Sequence, residues 1–352
     1  MAGADMIRPS RAWRFGAFSR RPPGPALGRL AVLIGLLLVV AVLSLCAGQH
    51  WLSPAEVLRA LTGQGRESDA LVINLLRLPR VVLALLAGGA LGVAGLLLQT
   101  LVRNPLASPD LLGVGPGAAA AAVLFLAYGA GVVSPGWLPV AAIAGALACG
   151  VAVYALAWKG GVTPLRLVLT GVAVASLASA VTTFVLVRGP ANATLSAYVW
   201  LTGSVFGATW TDIARLAAWL APLGIAMALL ARHAAIAGLG DELAQGLGQR
   251  VEAMRALLLT LAVAMAGAAV SCTGPLAFTG LIAPHLARRL IGHSFGVAAW
   301  ASAAIGGLLV MVADLSGRVL FAPRDLPAGI FVAALGAAFF VQLMIRARHR
   351  AD

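Results

Sequence analysis

Ten long apolar runs divide this chain, and they constrain its fold more than any other feature of the sequence. A helix of about 20 apolar residues spans the hydrocarbon core of a bilayer. The runs lie at residues 28–48, 79–101, 111–131, 137–158, 166–187, 213–231, 256–273, 278–292, 297–320 and 327–346. The breaks between them carry glycine, proline and charge, as at Arg103-Asn104-Pro105. The sequence therefore predicts an all-α polytopic membrane protein with about ten transmembrane helices.

The composition supports lipid rather than water as the surroundings of these runs. Hydrophobic residues make up 61% of the chain and charged residues 11%, whereas a soluble domain carries about a quarter charged residues. The net charge of +13 does not indicate nucleic acid, because the basic residues are scattered between the apolar runs. The cysteines Cys46, Cys149 and Cys272 lie in separate apolar runs and predict neither a disulfide nor a metal site.

The distribution of Lys and Arg predicts that both termini are cytoplasmic. With ten alternating spans, 17 of the 25 basic residues fall on the cytoplasmic side, as the positive-inside rule requires. Residues 1–26 are expected to form a basic, disordered cytoplasmic extension at the anionic leaflet. The following run Leu30–Ala47 also resembles a signal peptide ending before Cys46, but Leu45 stands where a small residue is expected. We interpret this run as a retained first helix.

Two connecting segments carry more than turn residues. In the outer segment 49–77, Ser53, Pro54 and Glu56 form the pattern of a helix start, with a capping serine, a first-position proline and an early acid. In the inner segment 232–255, residues 240–248 predict a short polar helix bounded by glycines. Such a helix suits docking on a cytoplasmic partner, and an ordinary connecting loop explains the same residues equally well.

Three arginines are expected to face outward, against the positive-inside rule. Arg77 and Arg80 stand at the outer edge of the second span, and Arg318 stands at that of the ninth. Arginine forks suit bidentate recognition of carboxylates, so an acidic partner or substrate outside the membrane is one explanation. Anchoring to headgroup phosphates is the other. Asp314 precedes Arg318 by one helical turn and is expected to pair with it.

The sequence argues against an enzyme and against an ion-coupled carrier. It contains no GxxxxGK[ST] motif, so ATP is not bound through a P-loop and any ATP-driven work belongs to a partner. The 12 acidic residues are not clustered as a Mg²⁺-dependent membrane transferase requires, and the five histidines are dispersed. Asp314 has no second intramembrane carboxylate beside it, which disfavours proton or sodium coupling. We expect this chain to bind no metal or cofactor.

A faint internal repeat relates two breaks in the apolar pattern. Residues 104–107 and 111–113 (NPLA, LLG) resemble residues 274–277 and 281–283 (GPLA, LIA), and each set follows a long apolar run. In the predicted topology the first set lies inside and the second outside, which is the pattern of an inverted repeat with helix breaks near a permeation path. Chance matches in a chain rich in Ala and Leu explain it as well.

Motifs in a fixed order along the chain resemble the FecCD family, the permease subunits of ABC importers for siderophores, haem and vitamin B12. They are RLPR at 77–80, Gln99, NPLASPDLLG at 104–113, GPLAFTGLIAPHLARR at 274–289, the pair Asp314 and Arg318, and RDLPAG at 324–329. The resemblance covers about residues 27–346 and implies a type II importer fold, with a ten-helix permease domain at 27–350. It implies passage of a ferric siderophore or similar metal chelate. Haem or cobalamin, and an ion-coupled secondary transporter, stand as alternatives.

The resemblance also implies partners and location. Two permease subunits, identical or related, would enclose one pathway, and two cytoplasmic ATPase subunits would carry ATP and Mg²⁺. An extracytoplasmic substrate-binding protein would dock above them. The permease subunits would lie in the bacterial cytoplasmic (inner) membrane and contact its lipid. No nucleic acid is implied.

Roles for individual residues follow from the same resemblance. Arg77, Arg80 and Arg318 would contact acidic residues of the binding protein. The ATPase-coupling segment would comprise Gly240, Asp241, Glu242, Leu243, Ala244, Gln245, Gly246, Leu247 and Gly248. The translocation pathway would be lined from the fifth helix by Ser176, Ser179, Thr182 and Thr183. The cytoplasmic gate would lie at Thr163, Pro164 and Leu165, where the family's small hydroxyl residues are partly replaced, so a more apolar gate is expected.

Overall fold

A computed structural model describes residues 13–15, 18–20, 24–48, 50–129, 132–292 and 294–348. Within these residues the two strands β1 (Trp13–Phe15) and β2 (Phe18–Arg20) pair as an antiparallel hairpin, and the remaining regular structure is helical. The α-helices are α1 (Gly24–Cys46), α2 (Pro54–Leu61), α3 (Glu67–Leu71), α4 (Leu78–Val102), α5 (Val114–Leu124), α6 (Leu138–Ala157), α7 (Pro164–Arg188), α8 (Ala191–Leu201), α9 (Trp210–Ala237), α10 (Asp241–Gly246), α11 (Val251–Thr273), α12 (Thr279–Ile291), α13 (Phe295–Leu320) and α14 (Ala328–Arg348). The predicted all-α polytopic fold is confirmed.

The predicted extension 1–26 falls largely outside the described residues. The hairpin lies within it, and helix α1 begins at Gly24, three residues before the predicted start of the membrane domain. At the remaining positions, 1–12, 16–17 and 21–23, the expectation of disorder stays a prediction.

Each predicted apolar run coincides with one helix, but the helices differ in length. Within the described residues, seven helices are long and apolar enough to cross a membrane alone. Val114–Gly129 and Ala328–Gln342 are shorter apolar helices, and α12 has 13 residues. Helices α5 and α12 are short because each begins after a break, where Gly113 (φ 74°) and Phe278 (φ 63°) take left-handed backbone conformations. Composition alone does not reveal where inside an apolar run such a break falls.

Helix α4 forms the centre of the bundle and packs against α9, α11, α12 and α13. Most of its residues are buried, as are most residues of α11, whereas α1, α7 and α9 expose most of theirs. The backbones of α4 and α13 touch at Gly88 and Gly306, where a Cβ on either residue would overlap the carbonyl oxygen of the other. Close approach through small residues is the usual way in which membrane helices associate.

The segment before α4 contains the predicted helix start. The Ser53 hydroxyl accepts a hydrogen bond from the Glu56 N–H (3.3 Å), and the Glu56 carboxylate accepts from the Ser53 N–H (2.7 Å), which completes a capping box. Hydrogen bonds from the Ser53 backbone and hydroxyl hold the pKa of Glu56 below its usual value. Two elements were not predicted from the sequence. One is the π-helical turn Val72–Arg77, which joins α3 to α4 in one continuous helix, and the other is helix α8.

Candidate functional site

Two of the three arginines that are predicted to face outward donate hydrogen bonds to the last turn of α1. Arg77 donates through Nη1 to the carbonyl oxygens of Leu45 (2.6 Å) and Cys46 (2.8 Å), and through Nη2 to that of His50 (2.6 Å). Arg318 donates through Nη2 to the carbonyl oxygen (2.7 Å) and hydroxyl (2.9 Å) of Ser44. The final carbonyls of a helix have no intrahelical partner and carry partial negative charge, so these cations stabilise the end of α1.

Arg80 forms the centre of a buried ion-pair cluster. Its Nη2 lies 2.6 Å from Asp314 Oδ1, and its fork also grips both oxygens of Asp325, at 2.7 Å and 3.1 Å. The Phe206 ring covers the guanidinium at 5.2 Å from its centroid. The side chains of Arg80 and Asp314 are 9% and 3% exposed, so this pair is held away from water. It joins the start of α4 to the end of α13 and to the connection that follows it.

This geometry corrects one prediction. Asp314 pairs with Arg80 across helices, and Arg318 donates to Ser44, so the expected local pair of Asp314 with Arg318 is wrong. Arg77, Arg80 and Arg318 are each less than a tenth exposed, and their contact with a binding protein stays a prediction. The physical reason for the different pairing and for the burial is that carbonyl and carboxylate acceptors of the chain itself lie within reach of each guanidinium.

The three arginines nevertheless line an open cleft of about 660 Å³. Its rim includes Phe206 and Arg324, both exposed, and its wall includes residues of the π-helical turn. The Nε atoms of Arg80 and Arg318 are buried and have no acceptor among the described residues. Asp69 and Asp325 line the same cleft, so side chains of both charges surround it.

The coupling segment 240–248 contains the predicted short helix, α10. Its glycine boundaries take left-handed backbone conformations, with φ of 109° at Gly240 and 79° at Gly248, which favour glycine over any residue with a Cβ. Ala244 packs inward, whereas Leu239, Leu243 and Leu247 are each more than half exposed. The segment thus presents apolar side chains on an otherwise polar turn of the surface, a pattern typical of an interaction site.

Arg255 connects α10 to the start of α7, and the sequence analysis did not identify it. Its buried guanidinium donates to Asp241 Oδ2 (2.8 Å), to Glu252 Oε1 (2.7 Å) and to the carbonyl oxygen of Val162. The Val162 N–H in turn donates to Glu252 (3.2 Å). Asp241 also lies 3.3 Å from Arg103 at the end of α4. Helix α10 is therefore joined by ionic hydrogen bonds through Arg255 to the turn that precedes α7.

The four predicted pathway residues divide between two faces of α7. Ser176, Ser179 and Thr183 lie on its exposed face, and the hydroxyls of Ser176 and Thr183 donate to the carbonyl one turn earlier. Thr182 is buried against the subunit's own helices, with its hydroxyl bonded to Ala178 O (3.1 Å). Because a helix turns about 100° per residue, the side chains at 182 and 183 point in different directions, and the assignment of all four residues to the pathway stays a prediction.

The predicted gate region forms the N-terminal cap of α7. The Thr163 hydroxyl accepts from the Arg166 N–H (3.4 Å), and Pro164 occupies the first helical position, where its missing N–H costs nothing. Leu165 is 68% exposed. The apolar character expected from the sequence is therefore presented at the surface beside Thr163.

The two breaks of the faint repeat meet in the fold. Residues 106–111 of the first and 275–281 of the second line one cleft of about 700 Å³. Gln99 on α4 donates from Nε2 to the carbonyl oxygen of Leu281 (3.2 Å), which ties the second break to the central helix. Asp110 of the first break and Phe278 of the second both line this cleft.

Comparison with known proteins agrees with this architecture. The FecCD transport family matches residues 36–346. The chain is 54% identical over 337 residues to the achromobactin transport system permease protein CbrC of Dickeya dadantii (strain 3937), covering 96% of this chain and 97% of that protein. It is 43% identical over 324 residues to the probable siderophore transport system permease protein YfhA of Bacillus subtilis (strain 168), covering 90% and 94%.

A solved structure supports the same conclusion. The fold superposes with a TM-score of 0.79 on a transporter described as of the metal-chelate ABC type, in an inward-facing conformation. The two chains are 25% identical, and the likeness covers 91% of this chain and 99% of the other. The predicted ABC importer permease fold is therefore confirmed, and the chain belongs to the FecCD transport family.

Proposed function

We propose that this chain is the membrane-spanning permease subunit of an ABC importer and forms the pathway for a ferric siderophore or a similar metal chelate. The observation that carries the proposal is the nearly full-length identity to two permeases whose names specify siderophore-type transport. The apolar helices support a position in the bacterial cytoplasmic (inner) membrane. The positive-inside distribution supports cytoplasmic termini.

The subunit works within a larger assembly. A second permease subunit, identical or related, completes the pathway, and an extracytoplasmic binding protein delivers the chelate. The sequence contains no P-loop, so two ATPase subunits bind ATP and Mg²⁺ and this chain is not itself an enzyme. The fifth predicted span, α7, contributes Ser176, Ser179 and Thr183 from its exposed face to the pathway.

Coupling to the ATPase begins at the exposed leucines of segment 240–248. A groove on the ATPase would receive Leu243 and Leu247, while Asp241 holds the segment to Arg255. Movement of α10 would then pull on the turn at Val162 and on the gate residues Thr163 to Leu165, because Arg255 and Glu252 bond both sides. The polar network thus provides a contiguous route from the ATPase to α7.

Docking of the binding protein uses the outer cleft. An acidic side chain of that protein would enter between Phe206 and Arg324 and reach the buried arginines Arg77, Arg80 and Arg318. The four arginines in the lining of this cleft, Arg77, Arg80, Arg318 and Arg324, support an acidic partner.

The choice of chelate rests on the names of relatives rather than on this chain's pathway residues. Other relatives of the chain are named for Fe(3+)-citrate and ferric enterobactin transport, which supports iron over other cargo. Haem and cobalamin are the alternatives within the same importer class. An ion-coupled secondary transporter is disfavoured because the buried carboxylate of Asp314 is neutralised by Arg80.

Affinity purification of the full chain from its native host, followed by identification of the bound proteins, tests this proposal. We expect an ATPase subunit and a chelate-binding protein in the eluate. The variant Leu243→Asp with Leu247→Asp should lose the ATPase and keep the second permease subunit. Recovery of the chain with neither partner would contradict the proposal.

A further inference from the structure

A second cleft, of about 630 Å³, lies where α4 and α9 end and α13 begins. Four basic side chains line it: Arg103, His285, Arg288 and Arg289. No Asp or Glu is among the described residues that line this cleft. We call it the basic cleft. Its charge is therefore opposite in sign to that of any anion that could enter it.

The cations of the basic cleft are only partly engaged by the chain. Arg288 donates to the Thr100 hydroxyl (2.7 Å) and to the Leu96 carbonyl oxygen (3.4 Å), which are neutral acceptors. The Nη2 atom of Arg103 lies 3.3 Å from one carboxylate oxygen of Asp241, and both side chains are about 40% exposed. Arg289 is exposed and makes no hydrogen bond or ion pair with another described residue. Most of the positive charge remains uncompensated within the described part of the chain.

The start of α13 adds a further attraction for anions. Phe295, its first residue, lines the basic cleft, and the side chain of Ser294 at the capping position makes no hydrogen bond to the first turn. The first N–H groups of a helix have no intrahelical acceptor and carry partial positive charge. The 26-residue helix α13 begins at a cleft with three arginines, and its N-terminus there is a suitable site for phosphate.

The walls below the cations are apolar, which selects among phosphate compounds. Leu96, Ala235, Phe295 and Ala298 line this part of the cleft. Gln99 also lines it, and its buried Oε1 has no donor among the described residues. A lipid with a phosphate at the arginines and an acyl chain along the apolar wall fits both the charge and the apolar lining, whereas inorganic phosphate uses only the first.

We propose that the basic cleft binds the headgroup of an anionic phospholipid such as phosphatidylglycerol. Arg288 and Arg289 would bind the phosphate, and the apolar wall would hold the start of an acyl chain. Basic pockets between membrane helices on the cytoplasmic side commonly take anionic headgroups. The ATPase is a less suitable occupant, because Leu243 and Leu247, which are proposed to dock on it, do not line the basic cleft.

Native mass spectrometry of the purified full chain tests this proposal. The chain in detergent is titrated with phosphatidylglycerol or with phosphatidylcholine, and the lipid-bound fraction is measured. We expect phosphatidylglycerol to bind preferentially and Arg289→Gln to weaken that binding about five-fold, with a further loss of similar size in Arg288→Gln/Arg289→Gln. The matched control Lys159→Gln/Arg250→Gln removes two exposed charges from the same predicted side and should leave binding unchanged.

Three results would overturn the proposal. Equal binding of phosphatidylglycerol to the wild type and to Arg289→Gln would show that the lipid sits elsewhere. Displacement of the lipid by millimolar inorganic phosphate would identify free phosphate as the ligand. Protection of Arg289 from a dicarbonyl reagent by the ATPase subunit, but not by phosphatidylglycerol, would make the cleft a protein contact. Because Arg289 is exposed and has no described partner, its variant is expected to fold, and its thermal unfolding midpoint is measured as a check.

Discussion

The two ends of the bundle use arginine in opposite ways. At the predicted outer end, Arg77, Arg80 and Arg318 are buried and donate to the last turn of α1 and to two carboxylates, although the Nε atoms of Arg80 and Arg318 have no acceptor among the described residues. At the other end, Arg288 and Arg289 line a cleft without a carboxylate among its described residues. A buried cation must find its counter-charge inside the chain, whereas a cation in an open cleft can take one from a ligand. The arginines of the first cluster therefore contribute to the fold through acceptors of the chain itself, whereas Arg288 and Arg289 lack a carboxylate partner among the described residues.

The largest expected effect breaks the outer cluster. Arg80→Met leaves the buried carboxylate of Asp314 without its partner, and we expect a loss of about 3–5 kcal/mol in stability. The measurement is the thermal unfolding midpoint of the purified chain in detergent. Arg80→Met combined with Asp314→Leu removes the whole pair and should recover most of the loss. A midpoint unchanged in the single variant would show that the outer arginines are dispensable for the fold.

An intermediate effect concerns coupling at the other end. Asp241→Ala removes the carboxylate that joins α10 to Arg255, so uptake per ATP hydrolysed should fall about five-fold or more. Glu67→Ala is the matched control, since Glu67 is exposed, lies outside segment 240–248 and makes no ion pair with another described residue. Both variants should still assemble with the ATPase. Equal coupling ratios in the two variants would remove the network from the account.

The smallest expected effect tests the contrast from the open side. Arg289→Gln should change stability in a lipid-free detergent by less than about 0.5 kcal/mol, because the side chain is exposed and loses no internal partner. The same thermal measurement as for Arg80→Met makes the two arginines directly comparable. A loss at Arg289 as large as that at Arg80 would abolish the distinction between the two ends.

Local patterns predicted much of the fold. The apolar runs located the membrane helices, Ser53 and Glu56 formed the expected capping box, and glycines bounded the predicted helix α10. These features depend on residues within a few positions of one another. The π-helical turn before α4 and helix α8 were missed, because neither carries a distinct sequence pattern of its own.

The site was predicted less completely because its partners are distant in sequence. Arg80 and Asp325 are 245 residues apart, and only the packing of α4 against α13 brings the first near Asp314. The spacing of four residues suggested Arg318 as the partner of Asp314. In the fold, Arg80 on another helix lies closer and pairs with Asp314 instead. Arg255 was missed for the same reason, since Val162 reaches it only through the fold.

Uptake into proteoliposomes tests the central claim most directly. The chain is reconstituted with its co-purified ATPase and second permease subunit, the vesicles are loaded with ATP and Mg²⁺ on the ATPase side, and a ⁵⁵Fe-labelled siderophore is supplied with the binding protein outside. We predict accumulation of label that requires ATP hydrolysis and is lost when the ATPase is omitted. Accumulation without ATP, driven by a proton or sodium gradient, would contradict the account and identify the chain as a secondary carrier.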